Sequence, residues 1–337
     1  MLHIVLNKGK FSQSLKPWSS LNVDLLTKFL KEDGVDVKLI CLSKLNEIEV
    51  DNKIFLTAST QNLGAKSYVN DLFYNLEKSN AFLIPNLELI KAHENKGNQV
   101  LFCKRKAIKM PKSDYILLDD SFIESFEGVK VVKTVNGASS QGVALVKNKK
   151  ELRQFYYKNI LKSFGMHAIK KIIKQKIKLK LAGGSIDQFE YYEPRLPVVV
   201  QDLIPNLTFD YKVLVFFDRY YVLKRNMNDS DFRASGSNNF ELISDVVAPL
   251  LDFAYEVHQK LDAPYSSLDI AVSNGEHFLI EFQVPHFGPY TQLSAEKYYF
   301  RHRAGIWEAA NKEAYMGLER EYAAAITKYI RSRNEKV

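Results

Sequence analysis

The first ninety residues set the tightest limit on the fold. Four short apolar runs (HIVL from His3, VKLICL from Val37, IFLTAS from Ile54 and AFLIP from Ala81) have strand length. Helical spacing of apolar residues separates them at Leu21 to Leu30 and at Ala65 to Leu76. Strands alternating with helices require a parallel sheet covered on its faces. No glycine-rich dinucleotide fingerprint follows the first strand, so this segment is expected to bind substrate or to scaffold rather than to hold a cofactor.

A chain of 337 residues is too long for one simple core and allows two or three subdomains. Cys41 and Cys103, the two cysteines, form neither a disulfide framework nor a zinc spacing, which fits a reducing compartment. The opening MLHIVLNKGKFSQ turns polar too soon for a signal peptide, and no apolar run approaches the ~20 residues of a membrane span. The expected location is cytoplasmic. The net charge of +8 is unevenly spread. From Lys147 to Lys180 there are 12 Lys and Arg against one acid, Glu151, so the rest of the chain is nearly neutral.

The stretch SLDIAVSNGEHFLIEFQVPHFG, from Ser267, reads as a β-hairpin with a turn at Ser273-Asn274-Gly275. Glu281 and Gln283 are two residues apart on a strand and share a face. The loop decides where Asp269 points. A three-residue loop closed by a left-handed Gly275 puts it with Glu281, whereas a two-residue Asn-Gly loop puts it opposite. The three-residue loop is the expectation. Three oxygen ligands without His or Cys suit Mg²⁺. The alternative is a buried strand with ordinary acids.

Between these ends, residues 129–146 (VKVVKTVNGASSQGVALV) read as a strand carrying Lys133, a small polar loop, and a second strand opened by Gly142. Such a loop can close over a phosphate, although the P-loop spacing is absent. Ile169, Ile172, Ile173 and Ile177 keep helical spacing among lysines, and the following IKLKL alternates and fits a strand equally well. Candidate roles for this basic stretch are a solvated helix, an acidic-substrate site, or a contact with an anionic membrane or glycan through residues 169–181. Nucleic acid is not expected, because aromatics are not interleaved with the lysines.

The order of these pieces resembles the ATP-grasp superfamily, nearest to the ribosomal-protein glutamate ligase-like branch. The resemblance is carried by a lysine near a helix start, the strand–Lys–loop–strand unit, VVVQDLI, DYKVLVFFDRYYVLKR, DFRASG and the acidic hairpin. It covers roughly residues 90–310. It implies an α/β ATP-grasp fold, two α+β subdomains clasping ATP, preceded by the parallel-sheet domain. The implied boundaries are 1–92, 93–200 and 201–337. Lys96 and Lys133 look like the phosphate-contacting lysines, and the loop with Gly137, Ser139, Ser140 and Gly142 like the phosphate lid. Gln201, Asp202, Leu203 and Ile204 resemble the hinge whose backbone reads adenine. Asp210 is similar to the acid near the ribose, and Lys212 stands where an arginine is usual. Arg225 and Arg233 take the catalytic arginine positions on the phosphates and acyl intermediate. Asp269, Glu281 and Gln283 take the Mg²⁺ positions, with Gln283 in place of the usual Asn. Ser235 also departs from the pattern, so a different substrate pocket is expected.

The activity so implied is an ATP- and Mg²⁺-dependent carboxylate–amine ligase. Its alternatives are a peptide-crosslinking ligase, a kinase of the same fold, and a nucleotide-binding module without turnover. The basic stretch and exposed aromatics suit a carboxylate borne by a glycan or an acidic peptide, and tailoring of a surface polysaccharide is one expectation. A homodimer is compatible with the sequence. His286 and His302 are candidate bases for the amine.

Overall fold

The computed structural model describes residues 1–11, 21–60, 62–136, 142–182, 195–227, 239–243 and 248–335. The chain divides into two compact units. One holds residues 1–94, 102–109 and 206–337, and the other residues 95–101 and 110–205.

The larger unit begins with β1 (Leu2–Leu6), α1 (Val23–Glu32), β2 (Val37–Cys41), β3 (Ile54–Leu56), α2 (Leu63–Lys78), β4 (Phe82–Ile84) and α3 (Leu87–Ala92). The strands form a parallel sheet in the order β2-β1-β3-β4, as the alternating pattern requires. Every residue of β1 is buried, as expected of a strand covered on both faces. The helix starts are set by side-chain caps. Asn22 Oδ1 accepts from the amides of Asp24 and Leu25, and Asn62 Oδ1 from the amide of Ala65. Leu26 and Leu30, one turn apart, carry the buried face of α1.

The chain continues through α4 (Lys96–Arg105) into the smaller unit. There follow β5 (Ser113–Leu118), α5 (Asp120–Ser125), β6 (Lys130–Thr134), β7 (Val143–Val146), α6 (Lys149–Ala182) and β8 (Leu196–Asp202). The strands pair antiparallel in the order β5-β8-β6-β7. Leu152, Tyr156 and Ile160 of α6 close the core of this unit over Val132, Val146 and Val198. The stretch IKLKL is the end of α6, not a strand, and helical backbone is broken once within α6, at Gly165 (φ 77°).

The larger unit then resumes with β9 (Phe209–Phe216), β10 (Arg219–Asn226), β11 (Phe240–Leu242), α7 (Ala248–Leu261), β12 (Tyr265–Ser273), β13 (Glu276–Gln283), α8 (Tyr290–Ser294), β14 (Lys297–Arg301), β15 (Trp307–Asn311) and α9 (Leu318–Asn334). Its second sheet runs β13-β12-β9-β10-β14-β15, with β11 also on β10. One core joins this sheet to the N-terminal one: Leu2, Ile4, Leu26 and Leu30 pack with Phe216, Tyr265, Phe287, Tyr322 and Ile326. Burying such side chains is worth about 1.5–3 kcal/mol each.

The β12–β13 hairpin corrects the expected loop. Ser273 pairs with Glu276, so the loop is the two residues Asn274 and Gly275, both left-handed at φ 52° and 78°. Asn-Gly is the preferred sequence for that turn. Alone, it would put Asp269 opposite Ile280 and away from Glu281. A bulge between Asp269 and Ile270 shifts the register by one, and Asp269 pairs with Glu281. The shared face therefore comes from the bulge, not from an odd loop.

Candidate functional site

Lys212, Asp269 and Glu281 are direct cross-strand partners on β9, β12 and β13, which puts them in one row on one sheet face. Asp210 lies two residues before Lys212, and Arg225 on β10 is directly opposite it. Gln283 lies two residues beyond Glu281, opposite Ser267. Five charged side chains and one amide thus share a face, where apolar residues would be the ordinary filling.

Arg225 organises this face. Its Nε donates to Asp210 Oδ1 at 2.6 Å, and its Nη2 to Asp210 Oδ2 at 2.8 Å and to Asp269 Oδ2 at 2.9 Å. Lys212 Nζ donates to Asp269 Oδ1 at 3.2 Å. Burial works against the Asp269 charge, but Arg225 and Lys212 outweigh it and hold its carboxyl down at about 2. Burial pushes the Asp210 carboxyl up, against the pull of Arg225. Burial also opposes the Arg225 charge, yet Asp269 and Asp210 drive its pKa further up. Two cations and two carboxylates therefore cancel.

Glu281 is left as the excess charge. It enters no ion pair among the described residues and accepts only from Gln283 Nε2, at 2.9 Å. Gln283 Oε1 is buried and has no donor among the described residues. A carboxylate without a cation beside an orphaned amide oxygen fits a divalent ion that takes few protein ligands. No three His, Cys, Asp or Glu side chains cluster as a metal site among the described residues.

In the smaller unit, Lys96 and Lys133 are both buried. The amide of Lys96, at the start of α4, donates to Val135 O at 3.0 Å, just beyond β6. This anchors the helix start beside the end of the strand that carries Lys133. The hinge residues differ in what they can offer. Gln201 is buried, with Nε2 on Ser113 Oγ at 2.8 Å. The Asp202 amide donates to Lys112 O at 2.8 Å, and its carboxylate accepts from Lys130 at 2.6 Å. Leu203 and Ile204 follow the end of β8.

Gly142 closes the loop after β6. Its φ is 74°, and an added Cβ would run into Thr134 Oγ1, which donates to Asn136 O at 3.0 Å. Gly142→Ala is expected to cost about 1–2 kcal/mol for the left-handed backbone alone. Urea unfolding should show a larger loss than this because of the clash, and in a Thr134→Ala background the loss should fall back toward the backbone cost alone. A neutral Gly142→Ala would contradict this geometry. Gly137, Ser139, Ser140 and Arg233 lie outside the described residues.

Sequence reasoning gave no role to His93. It is fully buried, and among the described residues neither ring nitrogen has a hydrogen-bond partner. Burial first, then Lys66 and His286, push its pKa down to about 3, while Gln283 beside it opposes weakly without a full hydrogen bond. Lys66 Nζ donates to its carbonyl at 2.5 Å. His286 is held at about 4 by burial and stays neutral. His302 is half exposed and touches Glu308 at 2.9 Å.

No protein-family model matches the sequence, and no curated protein matches it. Solved structures do match in fold. The D-alanine–D-alanine ligase of Bacillus anthracis complexed with ATP superposes at TM-score 0.52 with 14% identity, over 100% of this chain and 99% of that one. A RimK-domain ATP-grasp protein of Sphaerobacter thermophilus gives 0.52 and 11%, over 97% and 98%. A peptide-associated ATP-grasp ligase of Chryseobacterium gregarium, in complex with ADP and a leader and core peptide, gives 0.52 and 12%, over 99% and 97%. The chain has the ATP-grasp fold.

Proposed function

We propose that this chain is an ATP-dependent carboxylate–amine ligase. A substrate carboxylate oxygen attacks the γ-phosphorus, the bond to the β,γ-bridging oxygen breaks, and ADP leaves. The resulting acyl phosphate is attacked at its carbonyl carbon by an amine. The tetrahedral intermediate then expels phosphate, the nitrogen loses a proton, and an amide remains. The observation that carries the reading is the polar face of β9, β10, β12 and β13, where Arg225 and Lys212 neutralise two carboxylates and leave Glu281 in excess.

Asp269, Glu281 and Gln283 would hold Mg²⁺, which when bound neutralises charge on the β- and γ-phosphates. Arg225 keeps Asp269 ionised and fixed in direction. Lys96 and Lys133 offer positive charge to the phosphates. Because the Asp202 amide is already bonded to Lys112 O, the backbone of Leu203 and Ile204 is left to read adenine. Arg233 is assigned to the acyl phosphate and its oxyanion, whose negative charge a cation would stabilise. With His286 neutral but only weakly basic, the proton from the amine passes to water or to the departing phosphate.

The carboxylate substrate belongs to an anionic glycan or an acidic peptide. A relative in complex with a leader and core peptide supports the peptide, at the level of fold. An ADP-release screen of carboxylate and amine pairs tests the whole reading. Amide, ADP and phosphate in equal amounts are expected. ADP with a phosphorylated alcohol would make the protein a kinase instead.

A further inference from the structure

We infer that the part of α6 beyond Gly165 is a membrane-docking helix for anionic lipid. Up to Ile160, α6 is an ordinary core helix, with Leu152, Tyr156 and Ile160 buried. At Gly165 the backbone leaves helical geometry (φ 77°, ψ 177°) and then resumes it. Past the break, Ile169 still packs partly against the core, but Ile173 and Ile177, one and two turns further along the same stripe, are 51% and 54% exposed. Met166 is 57% exposed, and Phe164 just before the break is 51% exposed. Large apolar side chains set at helical spacing in solvent mark an interaction surface.

The partner follows from charge. Lys170, Lys171 and Lys174 are exposed beside the isoleucines. The segment from Lys147 to Lys180 holds 12 basic residues and one acid. A soluble acidic glycan would engage the lysines but gain nothing from the exposed isoleucines. An anionic bilayer takes both: the apolar stripe enters the headgroup–acyl boundary, and the lysines stay at the charged surface with their stems along it. Among the described residues no helix is long and apolar enough to cross a membrane, so the contact lies along the surface. The inference does not depend on the proposed reaction.

The test is flotation of the full chain with vesicles of phosphatidylcholine alone and of phosphatidylcholine with phosphatidylglycerol, at low and high salt. Binding to the anionic vesicles only, weakened by salt, is expected. At about fivefold per lysine, K170Q/K171Q/K174Q should weaken it on the order of a hundredfold. I173S/I177S should also weaken it, and should remove the part that survives high salt. Both variants should keep the Tm of the parent and its rise with MgATP. Equal binding to both vesicles, or none, would overturn the inference. So would capture by a soluble polyuronate that the lysine variant loses and the isoleucine variant keeps.

Discussion

Glu281→Gln is expected to lower MgATP turnover by about 10²–10³-fold, the scale of removing one preorganised electrostatic group. The reason is its isolation. Asp269 is shared between Arg225 and Lys212, whereas Glu281 has no cation among the described residues and faces the same side. Loss of its charge removes attraction for a metal without breaking an ion pair, so Tm without ligand should not move. Gln283→Asn keeps an amide oxygen and shortens only its arm, and should stay close to the parent. Equal losses in the two variants would refute this division of labour. A large fall in Tm for Glu281→Gln would show its role to be structural.

Arg225→Met should be the most damaging substitution for the fold of this sheet. Asp210 is 3% exposed and relies on Arg225 for both oxygens. Removing one partner from a buried ion pair costs about 3–5 kcal/mol, because the other charge stays buried. Adding Asp210→Leu should recover much of that loss. The sign of the pH response is a second readout. Burial already holds the Asp210 carboxyl above its ordinary value, and losing Arg225 removes the main opposing pull, so the folded state binds the extra proton more firmly. Stability of the single variant should then be present below the unfolded pKa of about 3.9 and be lost as pH rises. Urea midpoints at pH 5 and pH 7.5 check this. A variant equally stable at both values would contradict the buried-pair account.

The fold was largely legible because its signals are local. Alternating runs announced the parallel sheet, and Asn22 and Asn62 stand at the caps where helical spacing begins. The charged sheet face was legible in composition but not in wiring. Asp269 and Glu281 share a face only because a bulge beside Ile270 offsets the two-residue turn, and nothing in DIAVSNGEHFLIE marks that bulge. The Asp210–Arg225 pair could have been found. A two-residue turn at Phe217-Asp218 pairs Phe216 with Arg219, and the ladder then brings Arg225 opposite Asp210. Reading the two residues separately, as a ribose contact and a phosphate contact, hid that they hold each other. His93 gave no signal, since its burial arises from packing between α3 and elements distant in sequence. The shared core of α1 and α9 is of the same long-range kind.

Nucleotide binding tests the central claim most directly. The full chain would be titrated with ATP and Mg²⁺ while its thermal unfolding is followed, beside a Lys133→Ala variant. At a hundredfold excess over Kd, binding to the native state adds about 2.7 kcal/mol, enough for a clear rise in Tm. The account predicts that rise for the parent, a smaller one without Mg²⁺, and the loss of most of it in Lys133→Ala. No shift of the parent with millimolar ATP, ADP or a non-hydrolysable analogue would contradict it.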